Sequence, residues 1–407
     1  MKHRFLQLHL LTAYGPSNLN RDDLGMPKTA IFGNAPRLRV SSQSLKRAWR
    51  TSDLFESALA GHLGTRTKKI GQLAMDTMLE AGLKDEKKAF EWSRLIAQAF
   101  GKLKEGGGKA EEEAVGDAEK PEKGKKGKSA KMTVTNEVET LVFLSQEERD
   151  AILALSRTLA ASQTTPTEKQ LSLLRMKNAT ADLALFGRML TADKSRKSET
   201  SDRPLFNVEA AAQVAHAITV HRAVPEDDFF SAVDDLNRDE ETGSGHLGEL
   251  GFGAGVFYLY ICVDRDLLVK NLDGDVALAK STLRALAEAA SSVAPTGKQK
   301  SFASNARASF GLAELSSAAP RQLSAAFLKP VTETREHDVM GQAAERLRDL
   351  VRKFDAVYGF DGQRLHFNAT DAQTDGLDRG VEPNERPRFE QLVEFTAFGL
   401  DDGTDKE

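Results

Sequence analysis

Apolar residues alternate at the start of the chain: in Arg4-Phe-Leu-Gln-Leu-His-Leu-Leu11 the leucines at 6, 8 and 10 fall on one side, the period of a strand. Residues 14–36 break the pattern with Gly, Pro and Asn throughout, predicting a long loop or hairpin of the kind that often carries function. Alternation returns over 37–41, with Leu38 and Val40 turned inward and Arg37, Arg39 and Ser41 outward. Ser41-Ser42 then offers an N-cap for a helix from about Gln43 to Ala60. Residues 62–190 read mostly as helices. Residues 213–222 fit helix or strand, and the β-branched Ile218-Thr219-Val220 favours strand. Residues 254–263 predict a strand, 276–293 an Ala/Leu helix and about 338–356 a second helix. From about Asp361 the chain is polar and turn-rich, with one short helix near Phe389–Phe398. No internal repeat is visible, so any repetition must come from copies of the whole chain.

One stretch predicts no fold at all. Between Lys104 and Lys131, 21 of 28 residues are Lys, Asp, Glu or Gly and Val115 is the only large aliphatic, so nothing offsets the entropy of ordering. Its eight lysines face seven acids, which makes it a poor polyanion trap.

Over 407 residues, 40% hydrophobic, the chain can bury a substantial core, in two or three domains or one large domain with insertions. The single cysteine, Cys262, excludes a disulfide framework and a cysteine-rich zinc site, and its apolar surroundings read as core. No run reaches the ~18 apolar residues of a membrane span, and Met1-Lys-His-Arg-Phe5 does not lead into a signal peptide, so a cytoplasmic protein is expected. The net charge of −4 argues against a generally basic coat. Residues 1–50, however, hold nine Lys/Arg and two acids, an excess of +7 that leaves −11 on the other 357. A basic surface on an acidic body suits a polyanion held in one groove, because screening confines the attraction to about a Debye length.

The strongest chemical feature is therefore the strand, turn and helix over 37–50. A helix N-terminus offers unpaired N–H groups and a positive dipole end. Gln43, Lys46, Arg47 and Arg50 recur at three- and four-residue spacing and share one face, while Leu45 and Trp49 point elsewhere. Such donors suit a sugar-phosphate backbone without reading bases. Other signals are weaker. Gly251-Phe-Gly-Ala-Gly255 precedes a strand, lacks the Gly-Lys-Ser/Thr of a phosphate loop, fits the RNP1 pattern poorly and reads as a flexible loop end. His216 and His221 have no ligand-rich neighbourhood and read as packing or polar contacts. Asp22-Asp23 and Asp234-Asp235 are paired carboxylates that could hold Mg²⁺ for RNA cleavage, or simply salt-bridge.

Several blocks carry a resemblance. Pro16-Ser-Asn-Leu-Asn-Arg-Asp-Asp23, Lys28-Thr-Ala-Ile-Phe-Gly33 and Arg39-Val-Ser-Ser-Gln-Ser-Leu-Lys-Arg-Ala48 closely resemble the start of the CasC/Cse-type backbone subunits of type I-E CRISPR Cascade. The likeness resumes at Leu185–Met189, Ala215–His221, Asp228–Leu236, His246–Gly248, Gly255–Tyr258 and Thr296–Ser301. It does not reach residues 104–131 or the C-terminal tail.

The resemblance implies an α+β fold with an RRM-like (ferredoxin-like) antiparallel palm, a large mostly helical finger insertion and a thumb hairpin. On this chain that divides 1–61 (palm), 62–190 (fingers), 191–224 (palm), 225–252 (thumb) and 253–407 (palm, C-terminal helices and tail). It implies that Arg21, Lys28, Arg39, Ser41, Gln43, Lys46, Arg50 and Lys298 bind RNA, with Met189 and Phe230 wedged beside a displaced nucleotide. The implied partners are crRNA, target DNA, further copies stacked head to tail and other Cascade subunits. No membrane, cofactor, metal or catalytic residue is expected. Two other functions fit the residues: a metal-dependent endoribonuclease using Asp22 or Asp23, and a generic single-stranded RNA-binding protein.

Overall fold

The computed structural model describes residues 3–104, 135–175, 179–190, 206–232, 246–382 and 385–400. The acidic pair Asp234-Asp235 and all of the 104–131 run except Lys104 lie outside them. In chain order the first elements are β1 (Phe5–Ser17), β2 (Thr29–Phe32), β3 (Ala35–Val40), α1 (Ser42–Arg50), α2 (Asp53–Ala58) and β4 (Thr65–Thr67). Next come α3 (Ile70–Glu80), α4 (Glu86–Phe100), β5 (Val142–Leu144), α5 (Gln146–Ser162), α6 (Ala181–Phe186), β6 (Ala212–Val214) and β7 (Ala217–Thr219). The chain continues through β8 (Glu226–Ala232), β9 (His246–Asp264), α7 (Arg265–Asn271), α8 (Val276–Ser292) and α9 (Gln299–Phe302). It ends with β10 (Ala308–Ser316), α10 (Val339–Tyr358), β11 (Gln363–Asn368) and α11 (Arg388–Phe395). No helix among the described residues is long and apolar enough to cross a membrane.

Two compact units result, one of residues 1–63, 184–186 and 210–407, the other of 64–183 and 187–209. The first is built on an antiparallel sheet in the order β11-β10-β1-β9-β7-β3-β2, with β6 also paired to β9 and β8 paired to its far end. In chain order, β1, β7, β9 and β10 carry α1 in the first connection and α8 in the last, and they lie in the spatial order β10-β1-β9-β7.

The register explains why β1 is buried on both faces although its sequence marks only one. Leu6, Leu8 and Leu10 stand opposite Val263, Ile261 and Leu259, on the face left to α8, which contacts β1 and β10. Leu11 shares the other face with Tyr258, Tyr260, Phe310 and Leu312, under Met340, Ala344, Leu347 and Val351 of α10. Polar residues on that face are paired. Buried Glu314 meets Arg321 Nη2 at 2.7 Å and Arg364 Nε at 2.9 Å, and both arginines also bond Asp355 at 2.8 Å. Burial alone would raise the Glu314 carboxyl, but His9, Arg321 and Arg364 hold it down to about 2. Cys262 is buried in β9, and burial pushes its thiol up to about 11.

The second unit packs α3, α4 and α5 around Ile70, Met78, Trp92, Ile96, Phe100, Ile152 and Leu159. A capping box starts α5, with Ser145 Oγ accepting from Glu148 N and the Glu148 side chain accepting from Ser145 N. The same buried carboxylate accepts from Arg188 Nη1 at 2.7 Å, so one charge closes both the helix start and the segment at 188.

Four local readings need correction. Arg37 is buried, because its guanidinium reaches three main-chain carbonyls inside the sheet edge. The helix expected over 43–60 is two, since Ser52 Oγ accepts from Phe55 N and caps a new start at Asp53. Gly251–Gly255 lies within β9, not in a loop: a Cβ at Gly251, Gly253 or Gly255 would strike the side chains of Met26, Leu38 or His221 respectively. The polar tail contributes β11, the edge strand beside β10.

Candidate nucleic-acid interface

Residues 17–28 form a loop tied down by its own asparagines. Asn18, fully buried, donates Nδ2 to Gly25 O at 2.9 Å and Gly251 O at 2.7 Å, fastening the loop to β9. Asn20 Oδ1 accepts from Ser41 N at 2.9 Å, fastening it to the start of α1. The Asp22 carboxylate accepts from Leu24 N at 2.9 Å and Met26 N at 3.0 Å, an Asx turn that leaves Arg21 and Asp23 exposed. Lys28 closes the loop, its N–H donating to Asn20 O and its carbonyl accepting from Arg39 N.

Arg39 lies on β3 opposite Ile218 of β7, and its guanidinium Nη1 is 2.8 Å from His216 Nδ1. The cleft here is lined by Ser17, Asn20, Lys28 and Arg39 together with Gly253 and Phe257 of β9. Ser41 follows as the N-cap of α1, its Oγ accepting from Ser44 N at 3.3 Å, so the hydroxyl serves the helix and is buried. Leu45, Ala48 and Trp49 are buried, which turns Gln43, Lys46, Arg47 and Arg50 outward along one stripe. Lys46 Nζ stands 5.3 Å from the centroid of the Phe186 ring.

Lys298 joins this surface through backbone shape. It has φ 44°, and a Cβ on its neighbour Gly297 would come within 2.5 Å of Leu19 O, so only glycine lets the 296–301 segment lie on the asparagine loop. The first unit thus brings Arg21, Lys28, Arg39, Ser41, Gln43, Lys46, Arg50 and Lys298 onto the loop, the β3 edge, α1 and the segment abutting that loop.

The two expected wedge residues lie on other elements. Phe230 is on β8 opposite Gly248, 41% exposed, and its ring occupies the space a Cβ at 248 would need. Met189 belongs to the second unit, 86% exposed and next to buried Arg188, whose backbone pairs with Val208. Among the described residues no three His, Cys, Asp or Glu side chains cluster so as to hold a metal ion. His221 is a packing residue: its Nε2 accepts from Val256 N at 3.2 Å, so Nδ1 carries the proton and donates to Arg222 O.

Four contributors escaped the sequence reading. Asn18 and Asn20 sit in a recognisable Pro16–Asp23 block, but nothing local says which amide turns inward. Arg37 alternates with Leu38 like any surface residue. His216 becomes part of the basic cluster only when β7 pairs with β3.

An antiparallel sheet with a cationic loop–strand–helix edge, and a helical unit inserted in the chain, define an α+β protein. Residues 6–395 match the model of the CT1975-like protein family, and the chain belongs to that family. A solved chain described as "CRISPR RNA-guided surveillance complex, pre-nicking" is 27% identical, with a TM-score of 0.74 over 96% of this chain and 100% of that one. Another, described as "CRISPR RNA-guided surveillance complex", shares the fold at 22% identity and a TM-score of 0.66, over 97% of this chain and 99% of that one. No curated protein matches the chain.

Proposed function

We propose that this chain is a non-catalytic crRNA-binding backbone subunit of a type I-E CRISPR interference complex (Cascade), working in the cytoplasm. The observation that supports it best is the basic cluster of Arg21, Lys28, Arg39, Lys46 and Arg50 on a chain that matches, along 96% of its length, a member of a CRISPR RNA-guided surveillance complex. In this reading the β10-β1-β9-β7 sheet is an RRM-like palm, the second unit the fingers and the β8–β9 hairpin the thumb. Cations and main-chain donors grip phosphates, which positions RNA without reading it. The guide bases stay free to pair with target DNA, so base pairing reads the sequence while protein supplies shape and charge. Met189 and Phe230 wedge beside a displaced nucleotide. Copies stack head to tail, a heterologous contact that propagates along the guide beside the other Cascade subunits.

RNA cleavage is not part of this reading. Asp22 is engaged by two backbone N–H groups, and among the described residues no group of three His, Cys, Asp or Glu side chains that could hold Mg²⁺ includes Asp22 or Asp23. Complementary RNA added to the guide-loaded protein with Mg²⁺ should stay intact, and cleavage abolished by Asp23→Ala would refute this. The decisive experiment is sequencing the RNA that copurifies with the protein. A discrete guide-sized population with shared repeat-derived ends is expected, whereas heterogeneous cellular RNA would overturn the Cascade assignment in favour of a generic binder.

A further inference from the structure

The basic cluster contains a titratable group to which phosphate binding by arginine and lysine gives no role. His216 sits in the short break between β6 and β7, and it is exposed. Its Nδ1 lies 2.8 Å from Arg39 Nη1. A guanidinium has only donors, so Nδ1 is the acceptor and the ring is the neutral tautomer protonated at Nε2. The charged groups facing it are Arg39 on β3 and Lys28 at the end of the asparagine loop, both cations. Its own strands add no ionisable side chain, and on β9 the residues paired with them, 257–258 and 261–263, are apolar apart from Tyr258 and Cys262, which burial keeps uncharged. Partial desolvation, together with the two cations, holds the imidazole below its ordinary range.

A lone pair inside a cluster of cations, with a guanidinium donating to it, occupies the place of an anionic oxygen. Resting on the RNA-binding reading above, we propose that His216 is a further phosphate-binding group of this site, taking up a proton on Nδ1 when an RNA phosphate replaces it as the acceptor for Arg39. Bonds from a guanidinium to an ionised oxygen are roughly twice as strong as those to a neutral acceptor, so the phosphate wins the exchange. The released Nδ1 then has an anion within reach, which favours the imidazolium, and the ring donates to the same phosphate. The proton comes from solvent. RNA binding is thereby coupled to the uptake of one proton, and acid strengthens it.

The test uses the full chain freed of copurified RNA and a fluorescently labelled single-stranded RNA of mixed sequence, titrated at constant ionic strength from pH 8 to pH 5.5. Wild-type affinity should rise toward acid, by at most about tenfold per pH unit where one proton is linked. His216→Gln should lose that rise. His216→Arg, with a permanent charge, should bind at pH 8 about as tightly as wild type at pH 5.5. Because His216 is exposed, both variants should melt like wild type. A flat wild-type profile, or a Gln variant that keeps the wild-type slope, overturns the proposal while the RNA-binding reading stands. A wild-type chain that binds no RNA at any pH overturns that reading itself.

Discussion

Replacing Arg37 by methionine tests whether the cationic edge is held from beneath. The guanidinium is buried and donates Nε to Phe32 O at 3.2 Å, Nη1 to Thr219 O at 3.2 Å and Nη2 to Phe327 O at 2.8 Å. It therefore joins the β2–β3 hairpin to β7 and to the turn at 327, two positions from Arg39. Hydrogen bonds from a charged donor contribute about 1.5–3 kcal/mol each, which sums to roughly 5–9 kcal/mol for three. Shedding a buried guanidinium returns several kcal/mol of desolvation, and methionine keeps most of the volume. The net loss should be about 2–5 kcal/mol. Urea unfolding followed by Trp49 fluorescence, in a Trp92→Phe background, reads the sheet unit, because Trp49 is buried on α1 and Trp92 lies in the other unit. Arg37→Lys keeps the charge but not the three-way fork, so it should recover only part of the loss. RNA affinity should fall with stability as Arg39 loses its fixed place. A methionine variant within 1 kcal/mol of wild type that binds RNA normally would refute the supporting role.

Lys46→Ala and Arg50→Ala should each weaken single-stranded RNA binding about equally for all sequences and flatten the log–log salt dependence by roughly 0.7, checked by titration at several salt concentrations. Phe230→Ala should weaken RNA binding by roughly 1–3 kcal/mol with the salt slope nearly unchanged. Since Phe230 is 41% exposed, its melting temperature should stay near wild type, and a large drop would instead make it a structural anchor of the hairpin. Glu314 titrates from its ordinary 4.5 in the unfolded chain to about 2 in the fold, so its stabilisation is complete above pH 4.5 and lost as pH falls toward 2. Glu314→Gln should cost about 3–5 kcal/mol at pH 7, by leaving Arg321 and Arg364 less than fully compensated, and should flatten acid unfolding in that window. Denaturation across pH 2–7 checks both.

Periodicity and caps in the sequence by themselves determined the long, strongly patterned elements: β1, the 254–263 part of β9, α8, α10, and the start of α1 at Ser41. These signals are local, since a strand's alternation and a helix's cap are set within a few residues. The stripe of Gln43, Lys46, Arg47 and Arg50 was legible for the same reason, because helical spacing puts them on one face whatever the helix docks against. The sheet order was decided only by the tertiary structure. β10 and β11 carry no distinctive local code, and they become strands by pairing with β1 and with each other. Arg37 and Arg39 look alike two residues apart, yet one is buried and the other faces the cleft. What separates them is the carbonyls of Thr219 and Phe327, which lie about 180 and 290 residues further along the chain. The glycines of β9 and Gly297 show the same limit. Over 251–255 the glycines read as a flexible loop end in the sequence, and at all four positions the missing side chain becomes a demand for close approach only once Met26, Leu38, His221 and the Leu19 carbonyl are packed against them. Burial and long-range pairing settle such residues, and neither is a property of the residue's own neighbourhood in the chain.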